Sequence, residues 1–132
     1  MMDMQTTLLL AGIIILLTGS VHSVLGEILI FRHLRPDGIV PSRGASPLRE
    51  KHIRILWATW HLATVLGWAF AGILFKLASK SADAPPDAFV LASVVIAYAV
   101  GGLLVLIATK GRHPGWIALL AVAALALSAL GG

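Results

Sequence analysis

The sequence predicts an all-α integral membrane protein, a bundle of four transmembrane helices in a single domain covering residues 1–132. Of these 132 residues, 58% are hydrophobic and 12% are charged, whereas soluble domains average about 25% charged residues. Four apolar segments are also long enough, or nearly so, for a hydrocarbon core that takes about 20 residues per helix. Almost no chain is left over for a soluble domain.

The first predicted helix covers residues 7–31. The preceding stretch, Met1 to Thr6, has no Lys or Arg, and the apolar run exceeds the hydrophobic region of a typical signal peptide. We therefore expect a retained membrane helix. Gly12, Gly19 and Gly26 recur in it every seven residues, and small residues allow the backbones of membrane helices to approach closely.

The second predicted helix covers residues 47–77 and follows a loop rich in turn-forming residues. Ser46 suits the N-cap of this helix, and Pro47 suits its first helical position. At 1.5 Å per residue the helix is roughly 45 Å long. Its charged first turns are therefore expected among the lipid headgroups.

The third and fourth predicted helices cover residues 87–109 and 114–130. A polar stop with two adjacent prolines, within residues 79–87, separates the third helix from the second. Gly111 suits a C-cap and Pro114 a first helical position, which leaves almost no loop between them. These two helices are therefore expected to be antiparallel neighbours, and the last, at about 17 residues, is slightly short for a bilayer.

The basic residues predict the orientation in the membrane. Loops one and three share a side, and eight Lys and Arg residues lie in or beside them, whereas only two flank loop two. The positive-inside rule places loops one and three in the cytoplasm and both termini outside, in a bacterial inner membrane. We expect anionic lipid headgroups, and no nucleic acid, as the partner of this basic surface. The eight are Arg32, Arg35, Arg43, Arg49, Lys51, Arg54, Lys110 and Arg112; the two are Lys76 and Lys80.

Titratable side chains inside the apolar segments are the candidate functional residues, because such groups are expensive in hydrocarbon. Predicted helix one contains His22 and Glu27, and predicted helix two contains His61. His22 and Glu27 are about 140° apart around their helix axis, so a joint site needs a second helix between them. Counted from the cytoplasmic boundary, Glu27 lies about 7 Å deep, His61 about 10 Å and His22 about 15 Å.

Helical spacing groups further polar and aromatic residues around these three. Ser23 shares a stripe with Glu27, and one narrow stripe of helix two holds five residues that face the same way. If the stripes of helices one and two face each other, the bundle encloses a polar pocket. The predicted site residues are Glu27, His61, His22, Trp57, Trp68, Thr64, Ser23, Tyr98 and Arg54.

A small proton-coupled carrier of a cationic or amphipathic solute is the leading functional hypothesis. Such a carrier needs a buried carboxylate or imidazole for which proton and solute compete. Glu27 suits this role, with His61 or His22 as a relay and Trp57 and Trp68 as faces for a cation. No cofactor is expected. Because four helices enclose little volume, we expect a homo-oligomer with the solute passing between protomers.

Other functions stay open, and no motif decides whether the chain is an enzyme. His22, Glu27 and His61 are ligand types for a divalent metal, and His22 with His61 could ligate haem, so a membrane enzyme or redox subunit is one alternative. A non-catalytic accessory subunit of a membrane complex is another. Glu27 could also be a structural ion-pair partner of Arg54 or Arg32. The absence of cysteine excludes disulfides, thiolate nucleophiles and Cys-ligated metals.

A four-helix chain of this size with an acid in helix one resembles, in architecture, the small multidrug-resistance transporters. Those proteins work as dimers around a helix-one glutamate near mid-membrane. Glu27 instead lies late in its helix, and the surrounding sequence of the family is missing here. The resemblance therefore carries over no residue roles.

Overall fold

The computed structural model describes residues 3–80 and 87–131. In this part of the chain the protein is all-helical and contains no strand, which confirms the predicted fold class. Three of the helices are long and apolar enough to cross a membrane, and the fourth, with 16 residues, is shorter. The helices are α1 (Met4–Leu29), the short 3-10 helix η1 (Phe31–Leu34), α2 (Glu50–Ala78), α3 (Ala88–Ala108) and α4 (Gly115–Leu130).

Helix α1 begins before residue 7 because Asp3 caps it. The Asp3 carboxylate accepts a hydrogen bond of 2.8 Å from the backbone N–H of Thr6, which satisfies one of the N–H groups that a helix start leaves unpaired. The helix ends at Leu29 and not at residue 31, because the backbone tightens into the 3-10 turn of η1. The hydrogen bonds from Thr6 hold the pKa of Asp3 below its ordinary value.

Helix α2 begins at Glu50, so the predicted start at Pro47 with Ser46 as its cap was wrong. The backbone of Ala45 pairs with that of Leu48 in an isolated antiparallel bridge. This bridge holds Ser46 and Pro47 in a turn, outside the helix.

Helices α3 and α4 form a tight hairpin, as predicted. Asp87 caps α3 by accepting from the N–H of Val90 at 3.2 Å. At the other end the C-cap is Thr109, and the left-handed turn that ends the helix begins at Lys110, with φ of 50°, and continues at Gly111, with φ of 74°. The N–H of Gly111 donates to the carbonyl of Leu106. The predicted C-cap at Gly111 was therefore wrong by two residues. The stretch before α3 with the two adjacent prolines, including Pro85, lies outside the described residues.

The chain divides into two compact units, and both α1 and α2 run through both of them. The first unit, Met1–Thr18 with Trp68–Gly132, has an apolar core to which all four helices contribute. Its members are almost completely inaccessible, and the core lacks charged side chains. They are Leu8, Ala11, Ile15, Ala71, Leu74, Leu77, Ala78, Leu91, Val94, Val122, Ala126 and Ala129.

The second unit, Gly19–Gly67, contains the end of α1, η1, the following loop and the beginning of α2. Within it the two helices meet where Gly26 faces Trp60. A Cβ on Gly26 would lie 2.0 Å from the indole nitrogen of Trp60, so only glycine fits. The buried Phe31 packs edge-on against Trp60 with ring centroids 5.7 Å apart. This close approach brings the polar side chains of α1 and α2 within hydrogen-bonding distance.

Candidate functional site

The carboxylate of Glu27, near the end of α1, is the centre of the site. It forms an ion pair with the guanidinium of Arg35, which follows η1. The indole N–H of Trp57 donates to Oε2 of Glu27 at 3.3 Å. Nε2 of His61 lies 3.6 Å from the same oxygen. A guanidinium, an indole and an imidazole thus converge on one carboxylate whose side chain is still 31% exposed.

Arg35 fastens the loop after η1 to the site. Its Nε also donates to the backbone carbonyl of Ile39. Between them Gly38 has φ of 78°, a conformation that turns the chain back and that side chains disfavour. The hydrogen bond to the Glu27 carboxylate raises the pKa of Arg35, so the guanidinium stays charged. The hydrogen bond to Ile39 closes the loop, and the ion pair with Glu27 fastens the closed loop to α1.

A chain of hydrogen bonds holds His61 from its other side. Nδ1 of His61 lies 2.8 Å from Oγ of Ser23. The Ser23 hydroxyl donates to Oγ1 of Thr64 at 2.9 Å, and the Thr64 hydroxyl donates to the carbonyl of Gly19 at 3.1 Å. Thr64 is only 3% exposed, so its hydroxyl depends on these partners. The chain links α1 to α2 and fixes the plane of the imidazole.

An open groove of about 510 Å³ borders the Glu27 carboxylate. It offers a carboxylate and a guanidinium beside an indole face and an isoleucine side chain. Charged and apolar groups therefore share one surface. The groove is lined by Glu27, Arg35, Gly38, Ile39, Trp57 and His61.

The structure brings five of the nine predicted site residues together. They converge because residues on one stripe of α1 and one stripe of α2 face each other, as the spacing of about 100° per residue predicts. All five belong to the unit Gly19–Gly67. They are Ser23, Glu27, Trp57, His61 and Thr64.

His22 does not point to this cluster. Its ring stacks on Trp60 with centroids 4.2 Å apart and planes 9° from parallel. Its backbone carbonyl accepts a hydrogen bond of 3.0 Å from the Trp60 indole N–H. The prediction that His22 shares a pocket with Glu27 was wrong, because the face of α1 that bears His22 packs on Trp60.

Arg54 does not reach Glu27 either. Its Nε donates to Oε1 of Glu50, one turn earlier on α2, at 2.8 Å, and the Arg54 side chain is 53% exposed. Arg32 donates to the neighbouring His33. The predicted pairing of Glu27 with Arg54 or Arg32 was therefore wrong. The partner is Arg35, because the turn of η1 carries the chain back toward Glu27.

Trp68 and Tyr98, the two other predicted site residues, belong to the first unit. The Tyr98 ring packs edge-on against Phe70, with centroids 5.9 Å apart and planes at 82°. Trp68 is 45% exposed. Within their own unit these aromatic side chains take part in apolar packing or face outward.

The three residues predicted as alternative metal ligands do not form one group in the described part of the chain. Residues 3–80 and 87–131 contain no group of three or more His, Asp or Glu side chains placed to hold one metal ion. Of the proposed ligands, Glu27 and His61 lie together, but the His22 ring is held against Trp60. The haem alternative stays a prediction.

Sequence reasoning missed Arg35 and the loop residues Gly38 and Ile39. Gly38 lies in a turn cluster with Pro36 and Asp37, and this cluster was the available signal that the chain reverses there. Gly26 was recognised as a close-approach position, but nothing in the sequence names Trp60 as its contact.

Comparison with protein-family models, with curated proteins and with solved structures finds no match to this chain. The architectural resemblance to the small multidrug-resistance transporters therefore gains no support from these comparisons. Function is inferred from the geometry of the site.

Proposed function

We propose that this chain is a small proton-coupled carrier that binds a cationic or amphipathic solute at Glu27. The observation that supports this most directly is the position of the Glu27 carboxylate, which borders an open groove between the guanidinium of Arg35 and the imidazole of His61. Ionisable groups inside membrane segments are costly, and those found there commonly bind substrates or relay protons. A carboxylate with several competing partners can exchange one partner for another.

The exchange would proceed in two half-reactions. In the first, a solute cation takes the place of Arg35 at the ionised Glu27 and rests against the indole face of Trp57, which attracts cations. Arg35 leaves with its loop and remains charged in water. In the second, a proton enters the site and cancels the negative charge that holds the solute. The solute is then released. Proton and solute would therefore move in opposite directions.

We further propose the setting in which this carrier works. The bias of basic residues favours an inner membrane with loops one and three in the cytoplasm, both termini outside, and anionic headgroups against the basic loops. The groove is open rather than enclosed, so a complete path for a solute would need a second copy of the chain. A homo-oligomer supplies that copy.

Uptake by proteoliposomes tests the carrier. The purified protein is reconstituted with an inside-acidic pH gradient, and accumulation of ethidium or tetraphenylphosphonium is measured. We expect Glu27→Gln to abolish gradient-driven accumulation, because the variant keeps the shape of the side chain but loses its charge. Glu50→Gln is the matched control, since Glu50 also pairs with an arginine but lies outside the groove.

Two results would overturn the proposal. One is accumulation by Glu27→Gln at the rate of the unsubstituted protein. The other is gradient-driven uptake by the unsubstituted protein that does not exceed that of empty liposomes for either probe. Equal loss in Glu27→Gln and Glu50→Gln would also contradict the assigned site, because it would indicate a general effect of glutamate replacement.

A further inference from the structure

The hydrogen-bond chain behind His61 fixes where its protons lie. The carbonyl of Gly19 has no proton, so the hydroxyl of Thr64 must donate to it. The oxygen of Thr64 then accepts the proton of Ser23. A serine hydroxyl has only one proton, and it is now used, so the Ser23 oxygen can only accept from Nδ1 of His61. Nδ1 therefore carries a hydrogen.

This assignment determines the state of the other ring nitrogen. A neutral imidazole has one N–H, so with a hydrogen on Nδ1 the nitrogen Nε2 presents a lone pair. Nε2 is buried, and in the part of the chain that the structure describes it makes no hydrogen bond. It lies 3.6 Å from the carboxylate of Glu27. When the ring is neutral, Nε2 and the Glu27 carboxylate therefore face each other, and both can only accept a hydrogen bond.

The charged groups around Nε2 come from two elements. α1 contributes the carboxylate of Glu27, and the loop after η1 contributes Arg35, which is paired with that carboxylate. The rings of Trp57 and Phe31 pack against the imidazole at centroid distances of 5.1 and 6.0 Å and bring no charge. A proton added at Nε2 turns a contact between two acceptors into an ion pair with Glu27.

We propose that Ser23 and Thr64 are positioning residues that hold neutral His61 in its Nδ1–H tautomer, so that Nε2, facing Glu27, is the nitrogen that takes up and releases the transported proton. The tautomer follows from the hydrogen bonds alone, whereas the relay role rests on the carrier proposed above. Protonation at Nε2 would make Glu27 share its charge between Arg35 and His61. Protonation of His61 would thereby weaken the attraction of Glu27 for the solute, which couples proton entry to solute release.

Nitrogen-15 NMR of histidine-labelled protein in lipid bilayers tests the tautomer. Spectra are recorded at a pH high enough to keep the imidazoles neutral, and His61→Gln identifies the His61 signals by subtraction. We expect the Nδ1–H pattern in the unsubstituted protein. In Thr64→Val the Ser23 hydroxyl loses its acceptor and turns to Nδ1, so the pattern should change to Nε2–H.

Two further variants distinguish the positioning of His61 from a general disturbance of the fold. Thr64→Ser keeps the hydroxyl and should retain the Nδ1–H pattern. Thr59→Val is the matched control on α2, since the Thr59 hydroxyl bonds carbonyls of its own helix and should not influence His61. An Nε2–H pattern in the unsubstituted protein, or an Nδ1–H pattern that persists in well-folded Thr64→Val, would overturn the assignment.

Uptake measurements on the same variants test the relay role separately. We expect Thr64→Val to shift the pH profile of gradient-driven uptake, while Thr64→Ser retains it. An unchanged profile in Thr64→Val, despite a changed tautomer, would overturn the relay role. An Nδ1–H tautomer in a protein that transports neither probe would contradict the carrier and leave the positioning of His61 intact.

Discussion

The two units of this protein use the same pair of helices but hold them by different means. In Met1–Thr18 with Trp68–Gly132 the core is apolar, and its leucine, valine and alanine side chains are almost fully inaccessible. In Gly19–Gly67 the two helices are held by a chain of hydroxyls and by two indole bonds, one to the Glu27 carboxylate and one to a backbone carbonyl. Lipid provides no hydrophobic drive between helices, so apolar packing contributes dispersion energy, whereas polar bonds are specific. Polar bonds can also be exchanged, and the candidate site lies among them.

Two glycines of the seven-residue repeat show the same contrast. A Cβ on Gly12 would meet the tip of the Phe75 ring at 2.4 Å, and a Cβ on Gly26 would meet the indole of Trp60 at 2.0 Å. The Phe75 ring packs against the apolar core and has no polar atom to keep in a hydrogen bond, so we expect it to move aside more easily. The Trp60 ring is fixed by its bond to the carbonyl of His22 and by the stacked imidazole.

The largest expected effect comes from filling these two contacts. Gly26→Ala should lower the free energy of unfolding by about 2 kcal/mol, since overpacking costs roughly 1–3 kcal/mol and exceeds the gain in helix propensity. Gly12→Ala, where the ring can move, should change it by less than about 1 kcal/mol. Unfolding in mixed detergent micelles measures both. Equal effects would mean that the Phe75 and Trp60 rings adapt equally well to a new methyl group, contrary to the difference described above.

The next effect concerns the two buried threonines, one in each unit. Thr64→Val breaks a bond between helices and leaves the Ser23 hydroxyl without its acceptor, so a loss of about 1–2 kcal/mol is expected. Thr7→Val removes a bond to the carbonyl of Asp3, the residue that caps the same helix, and should cost under about 0.5 kcal/mol. The same unfolding assay applies. A larger loss for Thr7→Val would contradict the inference that polar bonds stabilise the second unit more than the first.

A smaller effect is expected from the two ion pairs of the second unit. Arg35→Gln should destabilise the protein more than Arg54→Gln, because the Arg35 pair is partly shielded and also fastens the loop. Arg54→Gln should cost at most about 0.5 kcal/mol, since its pair is exposed and spans one helical turn. High salt should weaken the Arg54 pair more than the Arg35 pair. The unfolding assay at low and high salt decides this. Equal salt sensitivity would show that the Arg35 pair is as solvated as the other.

The smallest effect is at the start of α1, in the first unit. The pKa of Asp3 is lowered by its bonds from Thr6, so the carboxylate stabilises the folded protein above the ordinary aspartate pKa, and this is lost as pH falls through the lowered value. Stability measured from pH 6 to pH 2 should therefore decline slightly more in the unsubstituted protein than in Asp3→Asn. A parallel decline in both proteins would show that Asp3 does not contribute to the loss of stability in acid.

The sequence was sufficient for the parts of the fold that depend on local patterns. Composition and segment length determine the helices, and Gly111 with Pro114 marks the turn between α3 and α4, although the left-handed turn itself begins one residue earlier, at Lys110. The angular spacing of about 100° also grouped Ser23 with Glu27 on one face. These features require no knowledge of distant contacts.

The features that sequence reasoning missed depend on the path of the chain between helices. Arg35 pairs with Glu27 because η1 and Gly38 turn the loop back, and no periodicity describes a loop. The start of α2 was misplaced because a backbone bridge competes with the helix start at Pro47. His22 was misassigned because its stripe faces Trp60, a pairing set by how closely Gly26 allows the helices to approach.

The bond from the indole of Trp57 to the Glu27 carboxylate has a practical consequence. Indole emission responds to charge at its nitrogen, so gain or loss of negative charge on Glu27 alters the fluorescence of a residue already present. The protein thus carries a built-in optical reporter of its own site. Replacing the three other tryptophans, Trp60, Trp68 and Trp116, together would isolate that signal without attaching a dye.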